Sequence, residues 1–100
     1  MNDLKELSKA KRPKKTIVVG AGAMGHGIAE SLAIAGYEVA LFDLKNAVLQ
    51  QAQTKIKASL QKLKKRRKIK DPISEVLKRI QTFTVLEDAL NGAEFAFEVV

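Results

Sequence analysis

Three glycines stand close together in the string Gly20-Ala21-Gly22-Ala23-Met24-Gly25, and Asp43 follows 23 residues after the first of them. Residues of these types at this spacing suit one kind of chemistry. They bring backbone N–H groups up to a negatively charged ligand at the start of a helix. Gly20 permits a tight turn, Gly22 has no Cβ to hinder a diphosphate, and Gly25 lets the helix pack close to a strand. Asp43 is suited to accept hydrogen bonds from ribose hydroxyls, and a phosphate on the 2′ position would meet it as a like charge. The pattern is weak alone. It gains force when it follows a strand, opens a helix and is followed by an acid at the end of the next strand.

Other chemistries have little to work with. The 100 residues include no cysteine and one histidine, which excludes disulfides and thiolate sites and speaks against a histidine-based metal site. His26 falls on the first turn after the glycines and is expected to be a solvated helix position rather than a base. Met24 is expected to pack beneath the loop. Composition is globular, with 46% hydrophobic and 29% charged residues. There is no apolar run long enough for a membrane span and no secretory h-region, so the expected address is the cytoplasm.

The net charge of +7 is unevenly spread. Residues 1–15 carry +4, 16–54 carry −2, 55–70 carry +9 and 71–100 carry −4. A nucleic-acid-binding module built on 55–70 is therefore a competing expectation of a different class. Against it, the block has no aromatic residue for stacking and matches no recognition motif, so neither nucleic acid nor membrane is expected as a partner.

The elements that must position the glycines are legible from periodicity. Thr16–Gly20 reads as a strand buried on both faces. Met24, Ile28, Leu32 and Ala35 have helical spacing, with Gly36 as the stop. Val39–Phe42 reads as a second strand ending at Asp43. Asn46 is expected to cap a helix of about twenty residues whose stripe is Leu49, Ala52, Ile56, Leu60 and Leu63. Asp71-Pro72 restarts a shorter helix with Ile73, Val76, Leu77 and Ile80 on one face. Thr82–Leu86 reads as a third strand, Glu87–Leu90 as one helical turn closed by Asn91-Gly92, and Glu94–Val100 as a fourth strand.

This alternation predicts an α/β fold with a Rossmann-type parallel sheet and helical crossovers. Only the first half, about four strands, is expected, with a long helix pair between strands 2 and 3. Residues 1–14 are expected to be a basic N-terminal tail. Residues 15–100 are expected to be the N-terminal part of a dinucleotide-binding domain. Val100 lies within an apolar strand, so that domain is expected to be truncated in strand 4. Glu98, a charge in that strand, is expected to face solvent, a pocket or a partner.

The string VVGAGAMGHGIAESLAIAGYEVALFD, with KIKASLQKL and EDALNGAEFAFEVV after it, closely resembles the start of the 3-hydroxyacyl-CoA dehydrogenase family, also called 3-hydroxybutyryl-CoA dehydrogenases. The resemblance covers roughly residues 15–100. It implies NAD as cofactor and oxidation of a 3-hydroxyacyl-CoA to the 3-keto thioester. Cofactor contacts are implied for Gly20, Ala21, Gly22, Ala23, Met24, Gly25 and Asp43, and for the backbone of Val99. Coenzyme A contacts are implied for Ser59 and Arg66, with Lys65 and Arg67 as register alternatives to the latter. The family's catalytic His–Glu pair and its helical C-terminal part, which forms the homodimer contact, fall beyond Val100. No catalytic residue is therefore assigned within this chain. The alternative is the NAD(P)-binding domain of another β-hydroxyacid dehydrogenase, since those share G-x-G-x-M-G but usually lack the long basic helix pair.

Overall fold

A β-branched strand, β1 (Lys15–Val19), runs directly into the glycine string. The computed structural model describes residues 15–92 and 95–98. The tail of residues 1–14, Val99 and the side chain of Glu98 lie outside the described residues. After β1 come α1 (Ala23–Ile34), β2 (Glu38–Phe42), α2 (Asn46–Lys65), α3 (Ile73–Lys78), β3 (Ile80–Phe83), α4 (Leu86–Leu90) and β4 (Phe95–Glu98). All neighbouring strands are parallel and their order is β3-β2-β1-β4. This is the expected Rossmann-type half, with the helix pair α2 and α3 between β2 and β3. The chain leaves β1 toward β2 on one side and reaches β4 on the other. The crevice of such a sheet lies where the strand order reverses, above the carboxyl end of β1.

Alternation within the strands divides the core into two layers. Val18, Val39 and Leu41 point to the larger layer, where Leu49, Ala52, Ile56 and Leu60 of α2 and Val76 of α3 cover them. Ile17, Ala40 and Phe42 point to the other face and meet Ala89 of α4. Ile17 and Val18 are both fully buried, so β1 is covered on both faces as its sequence predicts.

Several local expectations need correction. The buried face of α1 consists of Gly25, Ala29, Glu30 and Ala33. Ile28 and Leu32 flank the core, whereas Ala35 is exposed and Met24 is 69% exposed, so Met24 does not pack beneath the loop. Close helix–strand contact selects small residues, which a hydrophobicity stripe undervalues. The third strand starts at Ile80 rather than Thr82, because the Val39 N–H takes the Arg79 carbonyl at 2.7 Å and begins the β2–β3 ladder there. Asn46 is the first residue of α2 and not its cap. The N-cap is Lys45, which makes no side-chain capping bond. Likewise Pro72, not Asp71, occupies the N-cap of α3, and Asp71 pairs with Arg79 at 2.9 Å.

Candidate functional site

Strand pairing continues one step into the loop. The Gly20 N–H donates to the Phe42 carbonyl at 2.8 Å, and Gly20 then turns with φ of +99°. That conformation suits glycine. The next donor, the Ala21 N–H, meets no backbone carbonyl. It donates instead to Asp43 Oδ2 at 3.0 Å. The other oxygen, Oδ1, accepts from the Lys45 N–H at 3.0 Å. Asp43 is itself anchored, since its N–H donates to the Phe83 carbonyl at 3.2 Å. The Ala21 and Lys45 N–H groups hold the Asp43 carboxyl below its usual value. Each carboxylate oxygen can accept more than one hydrogen bond, so ribose hydroxyls can still be bound there.

Helix α1 begins at the N-cap Gly22, which supplies no side-chain cap, and no acid stands in its first turn. The N–H groups of a helix's first turn lack intrahelical partners and carry the positive end of its dipole. A Cβ on Gly22 would meet nothing within 4 Å, so the approach to those donors is open. A Cβ on Gly25 would lie 1.7 Å from the Gly20 carbonyl oxygen. The two glycines therefore serve different ends: Gly25 is required by the chain, whereas Gly22 keeps space in front of it. This cradle, with a carboxylate beside it, has the donors for a diphosphate and the acceptors for the hydroxyls of a ribose.

His26 is half-buried rather than simply solvated. Its Nδ1 lies 2.8 Å from the Gly22 carbonyl, to which it donates in the Nδ1–H tautomer. The His26 backbone N–H donates to the same oxygen at 3.0 Å. The ring thus braces the loop from one helical turn along. The separation of four residues was visible in the sequence, but nothing marked it as a contact.

The residues with implied coenzyme A roles sit on α2. The Ser59 hydroxyl donates to Glu30 Oε2 at 2.6 Å, linking α2 to α1. Glu30 is only 8% exposed, and the sequence reading did not single it out. Arg66 is exposed at the C-cap of α2, two helical turns after Ser59. An open cleft of about 560 Å³ runs beside them, lined by Ala58, Gln61, Lys62, Lys64, Lys65 and Ile73; neither Ser59 nor Arg66 lines it. Among the described residues there is no cluster of metal-ligating side chains, and no helix is long and apolar enough to cross a membrane.

Comparison with known proteins bears on the family and the fold. A probable 3-hydroxybutyryl-CoA dehydrogenase of Deinococcus radiodurans is 41% identical over 71 residues, which are 71% of this chain and 26% of that protein. The crystal structure of (S)-3-hydroxybutyryl-CoA dehydrogenase from Ralstonia eutropha superposes with a TM-score of 0.80 at 31% identity, covering 87% of this chain and 31% of that one. FadB2 of M. tuberculosis gives a TM-score of 0.80 at 33% identity, over 87% of this chain and 30% of its own. The chain thus spans between a quarter and a third of the length of these relatives. The family model described as "3-hydroxyacyl-CoA dehydrogenase, NAD binding domain" matches residues 15–100. Open at Gly22, closed at Gly25 and bounded by Asp43, this chain belongs to the NAD-binding domain family of the 3-hydroxyacyl-CoA dehydrogenases.

Proposed function

We propose that residues 15–100 form the cofactor-holding part of an enzyme that oxidises the 3-hydroxyl of a 3-hydroxyacyl-CoA to the 3-keto thioester. When bound, NAD accepts the hydride released from the substrate's third carbon. The loop from Gly20 to Gly25, Ala21, Ala23 and Met24 included, surrounds the diphosphate, and the N–H groups that open α1 hold it. Asp43 accepts the hydroxyls of the adenosine ribose and disfavours a 2′-phosphate. Val99 contributes a backbone contact to the nucleotide. Ser59 and Arg66 contact coenzyme A, the guanidinium being suited to a phosphate. The catalytic groups and a homodimer contact come from polypeptide outside these residues, and the working compartment is the cytoplasm.

The observation that carries this reading is the uncapped α1 terminus behind the open space at Gly22, with Asp43 latched to the same loop. Calorimetric titration of the 100-residue chain with NAD and NADP tests it. Binding of NAD in preference to NADP, lost in Gly22→Val, supports the proposal. Equal binding by parent and variant refutes the site. Protection of residues 55–70 from proteolysis by an acyl-CoA tests the substrate half, and unchanged cleavage counts against it. The chain alone is expected to show weak or no production of 3-ketoacyl-CoA, and clear production by it would overturn that expectation.

A further inference from the structure

We propose that Asp43 is the positioning residue of the glycine loop, so that discrimination against a phosphorylated ribose is tied mechanically to the shape of the diphosphate cradle. The link to discrimination rests on the NAD reading above. The positioning role stands on the geometry of the chain itself.

Ladder pairing between β1 and β2 ends with the Gly20 N–H on the Phe42 carbonyl. One residue on, the loop has turned away and the Asp43 carboxylate takes the place of the missing ladder acceptor. Ala21 is 2% exposed, so its N–H has little access to water. The carboxylate is held from both sides, by Ala21 on one oxygen and Lys45 on the other. Its main chain is fixed to β3 through the Phe83 carbonyl. The loop is therefore referenced to β2 and β3 through this side chain.

Discrimination follows from the same bonds. Admitting a 2′-phosphate requires removal of the carboxylate charge. Removing the carboxylate leaves the Ala21 N–H without its acceptor, and a buried donor left unpaired is disfavoured. The loop must then relax, and the first-turn donors of α1 move with it. Truncation at Asp43 is thus expected to abolish the cradle rather than to convert it from one dinucleotide to the other.

The test uses the 100-residue chain with Asp43→Ala and Asp43→Asn. Amide hydrogen exchange at Ala21 is measured by NMR without ligand and normalised to the Val18 amide of β1, which separates loop release from global unfolding. Asp43→Ala is expected to speed normalised Ala21 exchange by on the order of tenfold or more. Asp43→Asn keeps a carbonyl acceptor and is expected to recover most of the protection. Titration of Asp43→Ala with both dinucleotides is expected to show weakened NAD binding and no gain in NADP binding. Unchanged Ala21 exchange in Asp43→Ala overturns the positioning role. NADP binding by Asp43→Ala as tight as NAD binding by the parent overturns the link to discrimination. A parent that binds neither dinucleotide refutes the proposed cofactor instead, and Ala21 exchange still decides the latch.

Discussion

Replacing Gly25 and Gly22 by alanine in turn separates what the fold needs from what the ligand needs. An alanine Cβ at position 25 would lie 1.7 Å from the Gly20 carbonyl oxygen and 2.7 Å from its carbon. Both are backbone atoms, so no side chain can swing aside. Relief requires the first turn of α1 to retreat from the loop by more than an ångström. That movement would loosen the contact of the Gly25, Ala29 and Ala33 face with the sheet. Overpacking a well-packed contact costs about 1–3 kcal/mol when side chains can yield, and a backbone clash is expected at or above the top of that range. Domains of this size are stable by about 5–15 kcal/mol, so Gly25→Ala is expected to lose a large fraction of the total.

Gly22→Ala differs on every count. Nothing lies within 4 Å of the added Cβ, and φ of −70° is available to alanine. The change in stability is expected to stay within about 1 kcal/mol, the scale of an N-cap substitution. The methyl would instead occupy the space through which a diphosphate reaches the α1 donors. Losing one charge-assisted hydrogen bond is worth about 1.5–3 kcal/mol, which corresponds to roughly 10- to 150-fold weaker NAD binding. Urea unfolding and calorimetric titration of both variants give the two readouts. The reasoning fails if Gly25→Ala unfolds at the parent's midpoint, or if Gly22→Ala binds NAD as the parent does.

Arg67 occupies the left-handed region with φ of 57° just past α2, where its N–H donates to Lys64 and the Lys68 N–H to Leu63. Arg67→Gly is expected to add about 1 kcal/mol of stability, seen as a higher urea midpoint at unchanged slope, and an unmoved midpoint counts against it. The Asp43 carboxyl titrates below its ordinary value of 3.8, so its contribution is complete above that value and fades as pH falls through the lower, folded one. Asp43→Asn should therefore flatten the acid side of the stability–pH curve below about pH 4, and an acid limb like the parent's would refute the assignment. Arg79 donates to the Ala33 carbonyl at 2.7 Å and to Asp71 at 2.9 Å. Asp71 is nearly half exposed, so most of the cost of Arg79→Met comes from the Ala33 carbonyl; the loss expected in urea unfolding is about 2 kcal/mol, and Asp71→Ala should cost clearly less.

Legibility of the fold varied with the kind of contact. The α2 stripe was readable because Leu49, Ile56 and Leu60 are large and lie on one face. β1 was readable because a short β-branched run before glycine has few alternatives. Helix α1 misled because its contact with the sheet is made by glycine and alanine, which carry little hydrophobic signal. The start of β3 misled because Ile73, Val76, Leu77 and Ile80 keep helical spacing across a real break. There, ladder pairing with Val39 outcompetes the helix. Glu30 was invisible for a related reason: its acceptor role depends on Ser59, 29 residues away on another helix.

The candidate site shows most clearly where spacing stops informing. Counting residues placed an acid at the end of the second strand, and that is where Asp43 lies. What it touches depends on the β1–β2 register, in which Val19 stands opposite Phe42. That register sets Gly20 beside Asp43 and puts the Ala21 N–H within reach of the carboxylate. A slip of one residue would reverse the face of every β2 side chain and carry the acid away from the loop. That slip would exchange Val39 and Leu41 with Ala40 and Phe42 between two layers packed around side chains of different size, and would carry Glu38 or Asp43 into a buried register position, which disfavours it. The apolar residues of β2 therefore decide which donor Asp43 meets, and with it the geometry of the cradle.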